Sequence, residues 1–324
     1  MTKDNNQYRI ECVDALRALA ILLVIYGHSV QYFKEFFIFT SPIKIPLFFA
    51  ITGYVFKTRG GDQIVFFNNL FKKIVIPYVF LALISIIFVS SLNGFNGLMN
   101  SLIGIVSGDS FWFMPCIIVA EVIHFYIHKF GRDIYGISFL CISSFILGTV
   151  FSNYTVFSFA MISNAFIVQL YLFLGYLYSF IENRFDKKLF MISFLSLFLY
   201  ILFCFISLHI YPSKCLDVHL NYYYNLPFCI LLILLGNFSL FGIFKIIGHF
   251  PRWILYIGQN TMILYLWSGI AMIFFIQATK ILNVVVLDKP LWAILELIWV
   301  VAFCCLCSYL VTRIAPELLG KKRK

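Results

Sequence analysis

The chain has 324 residues, of which 12% are charged and 62% hydrophobic, and a formal net charge of +10. Its mean hydropathy is +0.95. A water-soluble globule carries about 25% charged residues and needs them to cover its surface, so a soluble domain is excluded, as are a disordered chain and a disulfide-framed secreted mini-domain. An all-α, polytopic transmembrane helical bundle remains.

A spanning helix takes about 20 mostly apolar residues. Ten stretches qualify: 13–33, 43–57, 74–92, 112–129, 135–152, 157–180, 188–209, 226–247, 254–277 and 291–313. In the first, Lys3 and Arg9 precede the apolar run as in a signal peptide, but no small-residue cleavage site follows, so it reads as a retained helix. The second is short and holds Pro46 and Gly53, which predicts a broken or re-entrant segment, tolerated only where protein or a wet cavity satisfies the backbone. Gly97 to Val106 is too short to cross and reads as interfacial. Runs this long are not the alternating segments of a membrane β-barrel. No loop is large enough to fold by itself and no internal repeat is visible, so 1–324 reads as one membrane domain.

Lys and Arg set the orientation. With the N-terminus inside, 18 of the 24 fall on inner segments: Lys3, Arg9, Lys57, Arg59, Lys72, Lys73, Lys129, Arg132, Arg184, Lys187, Lys188, Lys245, Arg252, Arg313 and Lys321 to Lys324. Five fall on outer loops (Lys34, Lys44, Lys214, Lys280 and Lys289), and Arg17 lies in the first span. Both termini are therefore expected in the cytoplasm. The +10 is largely topological, and nucleic acid is not needed to explain it.

A charged side chain at mid-membrane costs about 2.5–3.5 kcal/mol on insertion scales, so each one is a functional candidate. These are Asp14, Arg17, His28, Glu121, His124 and Glu296. Asp14 and Arg17 are three apart and can pair. Arg17 and His28 are eleven apart, which puts them about 20° off a common helical face and roughly 16 Å apart along the axis. That stripe suits the wall of a polar cavity; equally, the pair reads as an interfacial anchor and His28 as a packed, hydrogen-bonded residue. Glu121, His124 and His128 share another face. They lack the rest of a ligand set, so no metal site is assigned and a polar contact between helices is the plainer reading. Cys304-x-x-Cys307 formally matches a redox pair but lies in an apolar helix, where Cys behaves as a small hydrophobe.

The first span, YRIECVDALRALAILLVIYGHS, resembles the opening of the acyltransferase-3 family of integral membrane acyltransferases, whose Asp-x-x-Arg and later His fall here on Asp14, Arg17 and His28. Other pieces agree in order: Pro46-Leu47-Phe48-Phe49 with Thr52-Gly53-Tyr54; Lys72-Lys73 before Pro77-Tyr78; Phe111-Trp112-Phe113; and Ile257-Gly258-Gln259-Asn260-Thr261 with Leu264-Tyr265-Leu266-Trp267. The pattern is most similar to the fucose-4-O-acetylase-like branch of sugar O-acetylases that modify O-antigen and exopolysaccharide. One departure is Ser268, which stands where many members have His.

The resemblance implies acyl transfer in a bacterial cytoplasmic (inner) membrane. The acetyl group would pass from cytoplasmic acetyl-CoA to a sugar hydroxyl of a surface polysaccharide or its lipid-linked precursor, with no prosthetic cofactor. Attack on a thioester needs a base that is neutral near pH 7 and positive charge for the tetrahedral intermediate. On this reading His28 is general base or acyl relay. Arg17 anchors the donor or stabilises developing charge, and Asp14 holds Arg17. Lys72 and Lys73 bind the donor phosphates, or act as ordinary inner-face anchors, and Glu121 orients His28 or the acceptor. Succinyl-CoA is the alternative donor. A carrier for a polysaccharide unit or small metabolite is the rival reading.

Overall fold

The computed structural model describes residues 3–29, 34–56, 62–92, 94, 97–182, 188–211, 214–282 and 289–319, the side chains of 3–10, 29, 34, 35, 155, 157, 289, 290 and 318 excepted. In chain order the helices are α1 Lys3–Ser29, α2 Lys34–Phe56, α3 Gln63–Leu70, α4 Ile76–Leu92, α5 Leu98–Ser107, α6 Phe113–Phe130, α7 Ile134–Phe151, α8 Ile162–Ile167, α9 Gln169–Ile181, α10 Leu189–Ile210, α11 Leu226–Ile247, α12 Arg252–Gln259, α13 Thr261–Ile281 and α14 Lys289–Ile314. Among the described residues there is no strand, only an isolated antiparallel bridge between Asp217 and Tyr222. Among the described residues, nine helical stretches are long and apolar enough to cross a membrane. The remaining expected span, the first, falls on α1 up to Ser29, and α1 carries Glu11, Asp14 and Arg17. Lys57, Arg59, Arg184, Lys187 and Lys321 to Lys324 of the orientation argument lie outside the described residues.

The chain divides into two compact units. The first comprises residues 1–58 and 170–261, hence α1, α2 and α9 to α12. Here α2 corrects the expectation of a broken second span: it is one unbroken helix of 23 residues with Pro42 and Pro46 inside. Each proline removes an N–H and so orphans the carbonyl four residues back. The neighbours make good the loss. Cys204 Sγ lies 4.0 Å from Ile38 O, the carbonyl orphaned by Pro42. Asn237 Nδ2 donates to Pro42 O, the carbonyl orphaned by Pro46, at 3.4 Å. Tyr200 donates its hydroxyl to Phe39 O. Because the helix begins at Lys34, Lys44 is not on an outer loop but ten residues inside α2. The helix α2 also crosses α9 at backbone contact. A Cβ at Gly53 would lie 1.8 Å from Leu172 O, and one at Gly175 would lie 1.6 Å from Ala50 O, so only glycine fits at either point.

The second unit comprises residues 59–169 and 262–324. Helix α3 runs into α4 through a π-helical turn, Phe71–Val75, in which Ile76 N–H bonds Phe71 O. Pro77 lacks the N–H for Lys73 O and its ring crowds that carbonyl, which accounts for the wider turn. Within this unit Trp267 Nε1 donates to Leu81 O at 3.0 Å and Ser85 Oγ to Leu266 O at 3.2 Å, tying α13 to α4. Tyr78 donates its hydroxyl to Ile105 O at 2.7 Å and anchors the short helix α5. The expected single span 254–277 is in fact two helices, joined at Asn260. There the side-chain Nδ2 donates to Tyr256 O at 2.7 Å and ends α12.

Candidate active site

In the first unit, Asp14 is 5% exposed and lies between two donors. Gln259 Nε2 donates to its Oδ2 at 2.8 Å, and Arg17 Nη1 contacts its Oδ1 at 3.5 Å. An i,i+3 ion pair contributes only a few tenths of a kcal/mol; its use here is positional, aiming a half-buried guanidinium from one turn of α1. The contact exists because α1 and α12 touch through backbone: a Cβ at Gly258 would lie 1.8 Å from Asp14 O. A neighbouring polar group holds Glu182, 6% exposed, whose Oε2 accepts from the Tyr54 hydroxyl at 2.9 Å and faces Lys245 Nζ at 3.9 Å. His249 Nδ1 meets Glu11 Oε2 at 3.3 Å.

His28 sits in the last turn of α1 and is exposed. Since α1 is unbroken, Arg17 and His28 stay eleven residues apart, roughly 16 Å along the axis. The side chain of Lys44 arrives at this end of α1. A Cβ at Gly27 would lie 3.1 Å from its Nζ, which also sits 5.0 Å from the centroid of the Phe37 ring. Lys44 is within electrostatic reach of His28, and Asp217 and Cys215 are within reach of Lys44. Asp217 belongs to the 214–225 connection, where its Oδ1 accepts from the N–H groups of His219 and Leu220 at 2.9 and 3.2 Å.

The second unit holds the other expected residues. Lys72 and Lys73 are exposed on the π-helical turn. Glu121 and His124 are 3% and 0% exposed on α6. Gln169 Nε2 donates to Ala120 O and Ala165 O, both at 3.0 Å, which turns its oxygen toward His124 Nδ1, also at 3.0 Å. His124 therefore donates from Nδ1. When neutral it accepts at Nε2, where His128 Nε2 lies 3.1 Å away and must be the donor. Phe113 N–H, an orphan donor at the start of α6, bonds the Tyr265 hydroxyl at 3.3 Å.

Two pairs of distant sequence pieces thus meet: the Asp-x-x-Arg with Ile257-Gly258-Gln259, and Phe111-Trp112-Phe113 with Leu264-Tyr265. The family model for the acyltransferase domain of the acyltransferase-3 family matches residues 10–312. The chain belongs to the acyltransferase-3 family. No curated protein and no solved structure matches it.

In this membrane acyltransferase the fold brings Asp14 to Arg17 and spaces Arg17 from His28, as the sequence pattern requires. Among the described residues no three His, Cys, Asp or Glu side chains gather as a metal-ligand set, and the buried His124 is tied to Gln169 and His128. Ser268 turns its hydroxyl back to Tyr265 O at 3.2 Å, on its own helix. Sequence reasoning missed Gln259, Lys44, Glu182 and Gln169. Gln259 was visible inside a family motif but without a role, and Lys44 was visible as a cation assigned to a loop. Gln169 is uncharged and so escapes a search for titratable groups.

Proposed function

We propose that the acyltransferase moves an acetyl group from acetyl-CoA at the cytoplasmic face to a sugar hydroxyl of a surface polysaccharide or its lipid-linked precursor. The observation that supports this best is Asp14, held between Arg17 and Gln259 on a helix that continues unbroken to His28. A cation for an anionic donor and an imidazole for a hydroxyl acceptor then share one rigid stripe. Arg17 binds the donor phosphates, and the pantetheine arm carries the thioester along α1. His28 takes the proton of the acceptor hydroxyl as its oxygen attacks the thioester carbonyl carbon. The C–O bond forms, the C–S bond breaks, and the proton passes to the leaving thiolate.

The test is deletion followed by NMR of the cell's surface glycan. The O-acetyl signal disappears, returns with the wild-type gene, and does not return with His28→Ala or Arg17→Ala variants expressed at equal level. Unchanged glycan O-acetylation with His28→Ala would remove the proposed mechanism. Loss of an O-succinyl signal instead would identify the donor as succinyl-CoA.

A further inference from the structure

The proposed chemistry leaves one requirement unmet by the residues already assigned. Attack on the thioester puts negative charge on its carbonyl oxygen, and a preorganised donor must lie within hydrogen-bond distance of that atom. Arg17 is not available for it if the reaction occurs at His28, because eleven residues of continuous α1 put it roughly 16 Å away. The fold supplies a different cation. Lys44 is ten residues inside the apolar helix α2, a position where an ammonium is costly and marks function by default. Its Nζ lies over the Phe37 ring and against the bare backbone of Gly27, the residue before His28. The absence of a side chain at Gly27 opens the seat, since a Cβ there would already be 3.1 Å from Nζ. Asp217 provides the counter-charge from the 214–225 connection.

Building on acyl transfer at His28, we infer that Lys44 is a second catalytic residue, whose ammonium holds the thioester carbonyl oxygen while His28 deprotonates the acceptor. As the acceptor C–O bond forms, the carbonyl π electrons move onto this oxygen beside Lys44. They return as the C–S bond breaks, so Lys44 keeps its proton throughout and His28 alone relays one to the thiolate. Phe37 and Asp217 keep the ammonium aimed when no substrate is present.

The test uses the full chain in membranes, with radiolabelled acetyl-CoA and the host's own membrane glycan as acceptor. Lys44→Met is expected to lower kcat by about 100-fold or more, the usual cost of losing an oxyanion donor, with KM for acetyl-CoA within about threefold. Lys44→Arg, which keeps the charge, retains more activity. Adding ethylamine to Lys44→Ala restores transfer at least about tenfold, an effect that a packing role does not produce. If Lys44→Met fails to fold, the amine rescue and Gly27→Ala decide, the latter expected to lower kcat by crowding Nζ. Wild-type kcat in Lys44→Met, or no rescue and no loss in the other two, overturns the role of Lys44 while His28→Ala remains inactive. If His28→Ala is active as well, it is the underlying reading that falls.

Discussion

Gln259 reaches across 245 residues of sequence to donate from Nε2 to Asp14 Oδ2 at 2.8 Å. The bond joins the Asp-x-x-Arg of α1 to the helical joint before α13, and it fixes the carboxylate that aims Arg17. Removing it leaves a buried carboxylate short of a donor, a loss of about 1–3 kcal/mol. Gln259→Ala is therefore expected to lower the melting temperature of the detergent-solubilised protein and raise KM for acetyl-CoA. Gln259→Glu should be worse, because it sets two carboxylates face to face. Equal KM values in all three proteins would show that the clamp does not serve the donor.

The clamp depends on Gly258. A Cβ there would meet the Asp14 carbonyl at 1.8 Å, and backbone on both sides leaves nothing flexible to yield. Gly258→Ala should separate α12 from α1 and abolish the monodisperse peak in size-exclusion chromatography. Gly269→Ala is the internal control: beyond its own stretch of helix nothing lies within 4 Å of its Cβ position, so that protein should elute and melt as wild type.

Apolar length made nearly every span legible, because the bilayer demands it of each helix separately. The departures have two causes: a partner on another element, or a side-chain bond that hydropathy does not register. Pro46 and Gly53 suggest a break when the second span is read alone, whereas Tyr200, Cys204 and Asn237, far along the chain, meet the carbonyls around its prolines, and the unbroken helix carries Lys44 inside it. Asn260 divides an apolar run that hydropathy reads as continuous, because its side chain replaces a backbone bond. Asp14, Arg17 and His28 were legible because they sit on one helix. Gln259 was not, because its partner is 245 residues away.

The proline repair in α2 is open to a double-mutant cycle. Asn237→Leu leaves Pro42 O without a donor and should cost about 1–3 kcal/mol of stability. Pro46→Ala restores the backbone N–H that would bond the same carbonyl. In the Pro46→Ala background Asn237→Leu should therefore cost less, with a coupling of about 0.5–3 kcal/mol measured by thermal or denaturant unfolding. Strict additivity would mean that the bond to Pro42 O contributes nothing, and that Asn237 acts through its bond to Ile233 O at 2.7 Å and through packing.

The surroundings of Lys44 are readable through Cys215, which lies outside the spans and is half-buried. Burial pushes its thiol up, the Lys44 ammonium partly offsets that, and Asp217 pushes it up again. A raised thiol holds less thiolate at a given pH, and the thiolate is the nucleophile. With the other eight cysteines replaced, a membrane-impermeant maleimide should therefore react with Cys215 more slowly than with a free thiol at pH 8, and speed up as the pH climbs. Lys44→Met removes the favourable charge and should slow the reaction further, whereas Asp217→Asn should accelerate it. These two changes act in opposite directions on one sulfur, so a general loosening of the 214–225 connection, which would accelerate both, is told apart from the loss of a charge. A Lys44→Met protein that reacts as fast as wild type would remove the ammonium from this end of α1.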